Sequence, residues 1–187
     1  ANVREDMWVD QVLRPNPDGW GFFLKGHVNE SGYTSVCTPG TVKMLAYLLQ
    51  RWGTRSWAEV AAPAIRLAED GWMVGGMIAG WWQRSRRYPE TLSFLDQITR
   101  HSEASRIYLH DGGHPYEAGE VIRNPDYARS LERIVSHGPD DFYHGGLLEQ
   151  MTSDLAANGS FVTRQDFENY QLRDEMSVSG TYRGHII

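Results

Sequence analysis

Four stretches of this chain repeat apolar residues at three- and four-residue spacing, and each one stops at a glycine. Val42, Leu45, Leu48, Leu49 and Trp52 run up to Gly53, and Val60, Ala61, Ala64, Ile65 and Ala68 run up to Gly71. Tyr127, Leu131, Ile134 and Val135 precede Gly138, and Leu147, Leu148, Met151 and Leu155 precede Asn158-Gly159. That period belongs to amphipathic helices, and glycine is the residue that most easily leaves a helix at its C-terminal end. The starts are marked as well. Ser56 with Glu59 three positions on reads as a capping box, and Asn124-Pro125 is an N-cap followed by proline at the first helical position. Thr163 caps a short acidic turn containing Asp166. A short turn joins the first two helices, which predicts that they pack as an antiparallel pair.

The remainder is too broken by glycine and proline for long strands. Pro15, Pro17, Gly19, Gly21, Gly26 and Gly32 interrupt the first forty residues, where Trp20 and Phe22–Leu24 suit a short strand. A further helix is expected around Thr91 to Ile98. Ile107-Tyr108-Leu109 reads as a strand entering the turn Asp111-Gly112-Gly113, and Val178 to Ile187 as a last strand. The fold class is α+β, mostly helical. At 187 residues, with no repeat, linker or low-complexity segment, residues 1–187 are one domain or part of one. A start among charges without Met, and a strand running into the terminus, predict an excised segment of something longer.

Composition excludes several classes. With 41% hydrophobic and 22% charged residues the chain is neither disordered nor collagen-like. A net charge of −6 argues against a protein that tracks a nucleic-acid backbone. The one basic cluster, Arg84, Arg86 and Arg87, reads as a solvated loop or helix face. The longest uncharged run, Gly71 to Gln83, is thirteen residues, whereas a membrane span takes roughly 20. Residues Ala1 to Asp10 carry four charges and no apolar stretch behind them, so this segment does not read as a signal peptide. A single cysteine, Cys37, removes internal disulfides and Cys-based zinc sites, and its neighbours Val36 and Thr38 predict a buried small side chain. The seven Trp and nine Tyr are expected to fill the core.

Chemistry-bearing residues do not assemble into a site by spacing alone. His110 and His114 are four apart, but Asp111-Gly112-Gly113 between them is a turn, and no third metal ligand follows. Gly75, Gly76 and Gly80 lack the preceding strand and following acid of a dinucleotide loop, which leaves close helix packing as their use. No Gly-x-Ser-x-Gly elbow is present. His137 and His144 flank Gly138-Pro139-Asp140-Asp141, where turn and cap chemistry suffices, and no carboxylate pair is singled out. No catalytic, substrate-binding or metal residue is assigned within the chain, and no cofactor is implied.

Several stretches nevertheless match one family in order and spacing. They are Thr38-Pro-Gly-Thr-Val42, Arg51-Trp-Gly-Thr54, Trp57, Ala62-Pro-Ala-Ile-Arg-Leu-Ala68 and Asp70-Gly71. Ile107 to Gly112, Gly119-Glu120, Arg123-Asn-Pro-Asp126, Ala128-Arg-Ser-Leu131 and Gly138-Pro-Asp-Asp-Phe-Tyr143 follow, and then Thr163, Asp166, Tyr170 and Gly180-Thr-Tyr-Arg-Gly184. From about Asp6 to its end the chain resembles the large-subunit portion of the γ-glutamyltransferase (γ-glutamyltranspeptidase) family.

The resemblance implies a segment of a four-layer αββα N-terminal-nucleophile (Ntn) hydrolase sandwich, cut from a precursor that cleaves itself into a large and a small subunit. The new N-terminal Thr of the small subunit is then the nucleophile, its α-amine the base, and two small-subunit backbone N–H groups hold the oxyanion. A γ-glutamyl-enzyme is passed to water, an amino acid or a peptide. By the family's register that Thr lies beyond Ile187, and the Arg that grips the donor carboxylate lies before Ala1. Arg4-Glu5 has the family's Arg-Glu dipeptide but abuts Asp6-Met7-Trp8 directly, so Arg4 reads as a surface residue. The small subunit and a γ-glutamyl substrate are the implied partners. Exported bacterial members make a periplasmic or extracellular site one implication. The stretch Gly19 to Ser35 departs from the family pattern, which keeps an acylase or amidohydrolase acting on another amide, or a scaffold fragment without activity, as alternatives. Residues 1–187 alone are expected to be inactive and to expose apolar surface where further layers belong.

Overall fold

The computed structural model describes residues 3–187, and Ala1 and Asn2 lie outside the described residues. Nine α-helices, two short 3-10 helices and three two-stranded antiparallel ribbons occur among these residues, the mostly helical α+β arrangement that the sequence predicts. The first ribbon pairs β1 (Val12–Pro15) with β2 (Phe22–Leu24), with a register irregularity between Val12 and Arg14. Asn16 closes the connection: its side-chain oxygen accepts from the Asp18 amide and its own amide donates to the Gly21 carbonyl.

Helix α1 (Thr41–Trp52) ends at Gly53, and α2 (Trp57–Asp70) begins at the capping box. Ser56 Oγ accepts from the Glu59 amide at 3.3 Å while the Glu59 carboxylate accepts from the Ser56 amide at 2.8 Å. Gly71 then turns the chain into β3 (Trp72–Met73) at φ +103°, ψ 160°, a region reserved for glycine. β3 pairs with β4 (Val121–Ile122), and Asn124, whose amide bonds back to the Ala68 carbonyl, caps α6 (Pro125–His137). The principal partner of α2 is therefore α6, not α1. The expected α1–α2 antiparallel pair is not formed. The β3–β4 ribbon draws α6 against α2, and the small buried residues Ala68 and Ala128 permit close approach of those two axes.

Two separate cores result. Val74, Ala79 and Ile122 form one, surrounded by Trp72, Trp82, Ile107 and Tyr108, with α3 (Gly76–Trp82) and α5 (Ser102–Tyr108) supplying much of it. Tyr143, Leu148 and Phe167 form the other, from α7 (Asp141–His144), α8 (Gly146–Ala157) and α9 (Arg164–Glu168). Thr163 caps α9 through a capping box with Asp166, and α4 (Phe94–Thr99) is capped in the same way by Ser93 and Asp96.

Five expectations are corrected. Ile107 and Tyr108 are helical, because α5 carries them onto the first core, and Leu109 makes only an isolated bridge to Pro115. The last segment is a hairpin rather than one strand. β5 (Thr181–Tyr182) pairs with β6 (His185–Ile186) around Arg183-Gly184, both at positive φ, as a tight two-residue hairpin requires. Cys37 is exposed, since it lies in the irregular segment before α1. The tryptophans are not uniformly core residues: Trp20 and Trp52 are 86% and 62% exposed. A Cβ at Gly75, Gly76 or Gly80 would meet nothing, so these glycines serve no close packing among the described residues.

Candidate functional site

The titratable side chains singled out by sequence hold turns and helix ends. His110 donates its backbone N–H to the His114 carbonyl at 2.8 Å, which closes the Asp111-Gly112-Gly113 turn. The His110 Nε2 lies 3.0 Å from the Glu120 carboxylate, and its ring packs on Tyr116. That imidazole, helped by the Glu117 amide, holds the Glu120 carboxyl below its ordinary value. The two imidazoles do not converge on a common point: His110 is directed to Glu120, and no group of three His, Cys, Asp or Glu side chains suited to a metal occurs among the described residues. His137 Nδ1 sits 3.2 Å from the Arg133 carbonyl at the end of α6, and His144 sits 3.6 Å from Asp140. Arg4 is exposed and pairs with Asp6 at 3.3 Å.

The basic cluster forms the solvated loop after α3. Arg86 binds Asp96 through two 2.7 Å bonds and Arg87 reaches Asp18 at 3.0 Å. Arg86, with Ser93, holds the Asp96 carboxyl far below the usual carboxylate range. The cleft beside it, about 600 Å³ and reaching His114 and Glu117, therefore has one of its guanidinium groups already neutralised.

One hydroxyl–imidazole pair was not legible in the sequence. Ser31 Oγ lies 3.1 Å from His101 Nε2 across seventy positions, in a cleft of about 570 Å³ walled by Tyr33, Trp82, Phe94 and Tyr108. Arg100 bonds to the Gly26 carbonyl beside it, so the contact fastens the 26–35 loop to the α4–α5 junction. No short-range motif announces a pair that distant.

A further concave feature is apolar. A groove of about 1130 Å³ runs between α1, α2, α6 and α8, walled by Leu45, Leu48, Trp52, Val60, Leu131 and Ile134 among others, and no charged side chain lines it. It offers shape and apolar surface, with the hydroxyls of Thr41, Tyr127 and Ser130 and the Gln150 amide as its polar side-chain groups besides the indole N–H groups.

The motifs behind the resemblance have structural work in this arrangement. Tyr143, from Gly138-Pro-Asp-Asp-Phe-Tyr143, donates to the Pro39 carbonyl at 2.7 Å and so holds the Thr38-Pro-Gly turn. Asp141 of the same motif accepts from Arg133 and from the Gly146 amide at the start of α8.

The family model described as gamma-glutamyltranspeptidase matches residues 18–187. The glutathione hydrolase proenzyme of Escherichia coli K12 is 28% identical over all 187 residues, which cover 29% of its length. The acylase ACY 1 proenzyme of Pseudomonas sp. SE83 is 33% identical over 159 residues, covering 85% of this chain and 27% of that protein. Among solved structures, Helicobacter pylori gamma-glutamyltranspeptidase superposes with a TM-score of 0.81 at 24% identity, over 99% of this chain and 48% of that one. The chain thus spans less than a third of the length of these curated relatives. Matched over residues 18–187, it belongs to the gamma-glutamyltranspeptidase family.

Proposed function

We propose that residues 1–187 are part of one γ-glutamyltransferase-like domain, the large-subunit portion of a self-processing precursor that cleaves γ-glutamyl amides such as glutathione. The observation that carries the reading is the family match across residues 18–187, together with relatives named glutathione hydrolase proenzyme. In this reading the chain contributes helices and turns, and the catalytic Thr stands on the small subunit of the same precursor. That Thr attacks the γ-amide carbonyl as its α-amine takes the hydroxyl proton. The α-ammonium returns that proton to the leaving amine as the C–N bond breaks, and the γ-glutamyl group of the resulting ester is passed to water, an amino acid or a peptide. Residues 1–187 alone give no turnover.

The test is to purify the natural protein, sequence the N-terminus of every chain that co-purifies, and assay a γ-glutamyl anilide. A second chain beginning with Thr, and γ-glutamyl ester on that Thr after substrate soaking, are expected. A single uncleaved chain inert to γ-glutamyl anilides overturns the reading.

An acylase acting on another amide is the second reading, favoured by the 33% identity to acylase ACY 1 and by the atypical Gly19 to Ser35 stretch. Turnover of a glutaryl amide, which lacks the donor α-amino group, in preference to its γ-glutamyl counterpart would select it.

A further inference from the structure

The cleft that holds Ser31 and His101 combines apolar walls with a few polar groups. At about 570 Å³ it falls within the roughly 300–1,000 Å³ typical of small-molecule sites, which share that division of lining. Trp82 of α3, Phe94 of α4 and Tyr108 of α5 supply aromatic surface, and the loop before α1 supplies Glu30, Ser31 and Tyr33.

Internal contacts fix these walls before any guest arrives. Trp81, which does not line the cleft, stacks on Phe94 with ring centres 5.9 Å apart, and the Trp82 and Tyr108 rings meet at 6.4 Å. In the loop, Thr34 Oγ1 donates to the Val28 carbonyl at 2.6 Å and Ser35 Oγ to the Gly32 carbonyl at 2.8 Å. A site held in place by its own bonds loses little freedom when a ligand enters.

Charge selects the guest. Among the described residues no lysine or arginine lines the cleft, and Glu30 is its one carboxylate. Glu30 Oε2 meets His27 Nδ1 at 3.0 Å, and Oε1 has no partner among the described residues. The Asp154 carboxylate bonds to the Tyr33 hydroxyl, pushes that phenol above its ordinary pKa and places a second negative charge behind the wall. Aromatic faces attract a cation, and a carboxylate gives it a charge-assisted hydrogen bond. The Ser31 oxygen keeps lone pairs that accept an N–H.

We propose that this cleft binds a small arylalkylamine, its ring on the Trp82, Phe94 and Tyr108 walls and its ammonium on the Glu30 carboxylate. The carboxylate lies in the Gly19 to Ser35 stretch, so the site belongs to the part of the chain that departs from the family pattern. Nothing in the assignment depends on where the catalytic Thr stands.

The experiment is isothermal titration of the full-length protein with phenethylamine, the simplest ligand carrying both parts. Hydrocinnamate, which exchanges the ammonium for a carboxylate, and the neutral phenethyl alcohol are titrated beside it. Phenethylamine is expected to bind about tenfold more tightly than either, the usual worth of a hydrogen bond to a charged group. Absence of phenethylamine binding, or equal affinity for hydrocinnamate, overturns the proposal. Glu30→Gln is expected to weaken phenethylamine about tenfold and to leave phenethyl alcohol unchanged. Undiminished phenethylamine affinity in that variant overturns the proposal, and the ligand comparison on the unsubstituted protein decides the matter even where the variant folds poorly. Photolabelling with p-azidophenethylamine and peptide identification locate the ligand. Label on peptides carrying residues 30–36 or 94–108, competed off by phenethylamine, is expected. Label confined to peptides without a cleft residue overturns the proposal in favour of an amine site elsewhere in the protein.

Discussion

Lys43 and Tyr170 lie 127 positions apart and meet at one oxygen: the Lys43 ammonium donates to the Tyr170 carbonyl at 2.6 Å. The same ammonium sits 4.6 Å from the centre of the Tyr143 ring, which stacks on the Tyr170 ring. The Tyr143 hydroxyl completes the joint, accepting from the Lys43 amide at 3.2 Å and donating to the Pro39 carbonyl at 2.7 Å. Burial pushes that phenol above its ordinary pKa. Three remote pieces of chain, the entry to α1, helix α7 and the end of α9, are fastened at this point.

Tyr143→Phe keeps the buried ring and removes the hydroxyl, leaving the Pro39 carbonyl and the Lys43 amide without it. The expected loss is about 1 kcal/mol, the usual net worth of a hydrogen bond, because Pro39 is exposed and Lys43 only half-buried. A denaturant titration measures it as a lower midpoint at unchanged slope. An unchanged midpoint would mean that water replaces the hydroxyl at no cost.

Gly71→Ala addresses the hinge between α2 and β3. A Cβ there would collide with Val121 Cγ1 and approach the Ile122 carbonyl at 3.0 Å, and the φ of +103° is itself unsuited to alanine. Strain of about 1–3 kcal/mol follows from the backbone alone, with the collision added. Gly75→Ala, at a site where a Cβ meets nothing, is the comparison and is expected to leave the midpoint within about 0.5 kcal/mol. Equal effects of the two substitutions would refute the steric account.

Ser56→Ala removes one half of the α2 capping box. The loss expected is about 1 kcal/mol, and Ser56→Asp, which keeps an acceptor for the Glu59 amide, recovers most of it. Circular dichroism during thermal unfolding reads both, and an Ala variant as stable as wild type would show that solvent satisfies this helix end unaided.

Legibility in the sequence followed the range of the interactions. Capping at Ser56, Asn124 and Thr163, and the stops at Gly53, Gly71 and Gly138, are decided within four residues, and all stand where the residues predict. The pairing of α2 with α6 depends on a β3–β4 ribbon of only four residues, too short to announce itself by alternation. Ile107-Tyr108-Leu109 has the composition of a strand, yet its place against Trp82 and Ile122 decides for helix, and local propensity yields to packing. The Arg183-Gly184 turn was concealed because arginine is an unusual first residue for two successive positive φ angles. Of the candidate site, the absence of a short catalytic motif was readable, whereas the Ser31–His101 contact and the four-helix groove arise only from tertiary placement.

Asp141 offers the sharpest test of how charge supports this fold. Its side chain is 8% exposed, binds Arg133 Nε at 2.7 Å and Nη2 at 3.1 Å, and accepts from the Gly146 and Leu147 amides at the start of α8. Arg133 first, and then those amides, hold its carboxyl down to about 2. An unfolded chain returns it to about 3.9. A group depressed in the folded state contributes its full stabilisation above the unfolded value and loses it as pH falls through the folded one. Asp141 therefore supports the fold at pH 5 and above and ceases to do so between about pH 4 and pH 2, and Asp96, depressed by Arg86 and Ser93, acts in the same direction. Asp141→Asn keeps an acceptor for the α8 amides but discards the charge. Urea midpoints of the two proteins should differ most at pH 6, narrow below about pH 4 and converge only as the pH approaches 2. A gap that stays constant across that range would mean that Asp141 acts through shape and neutral hydrogen bonds, with no contribution from its ionisation.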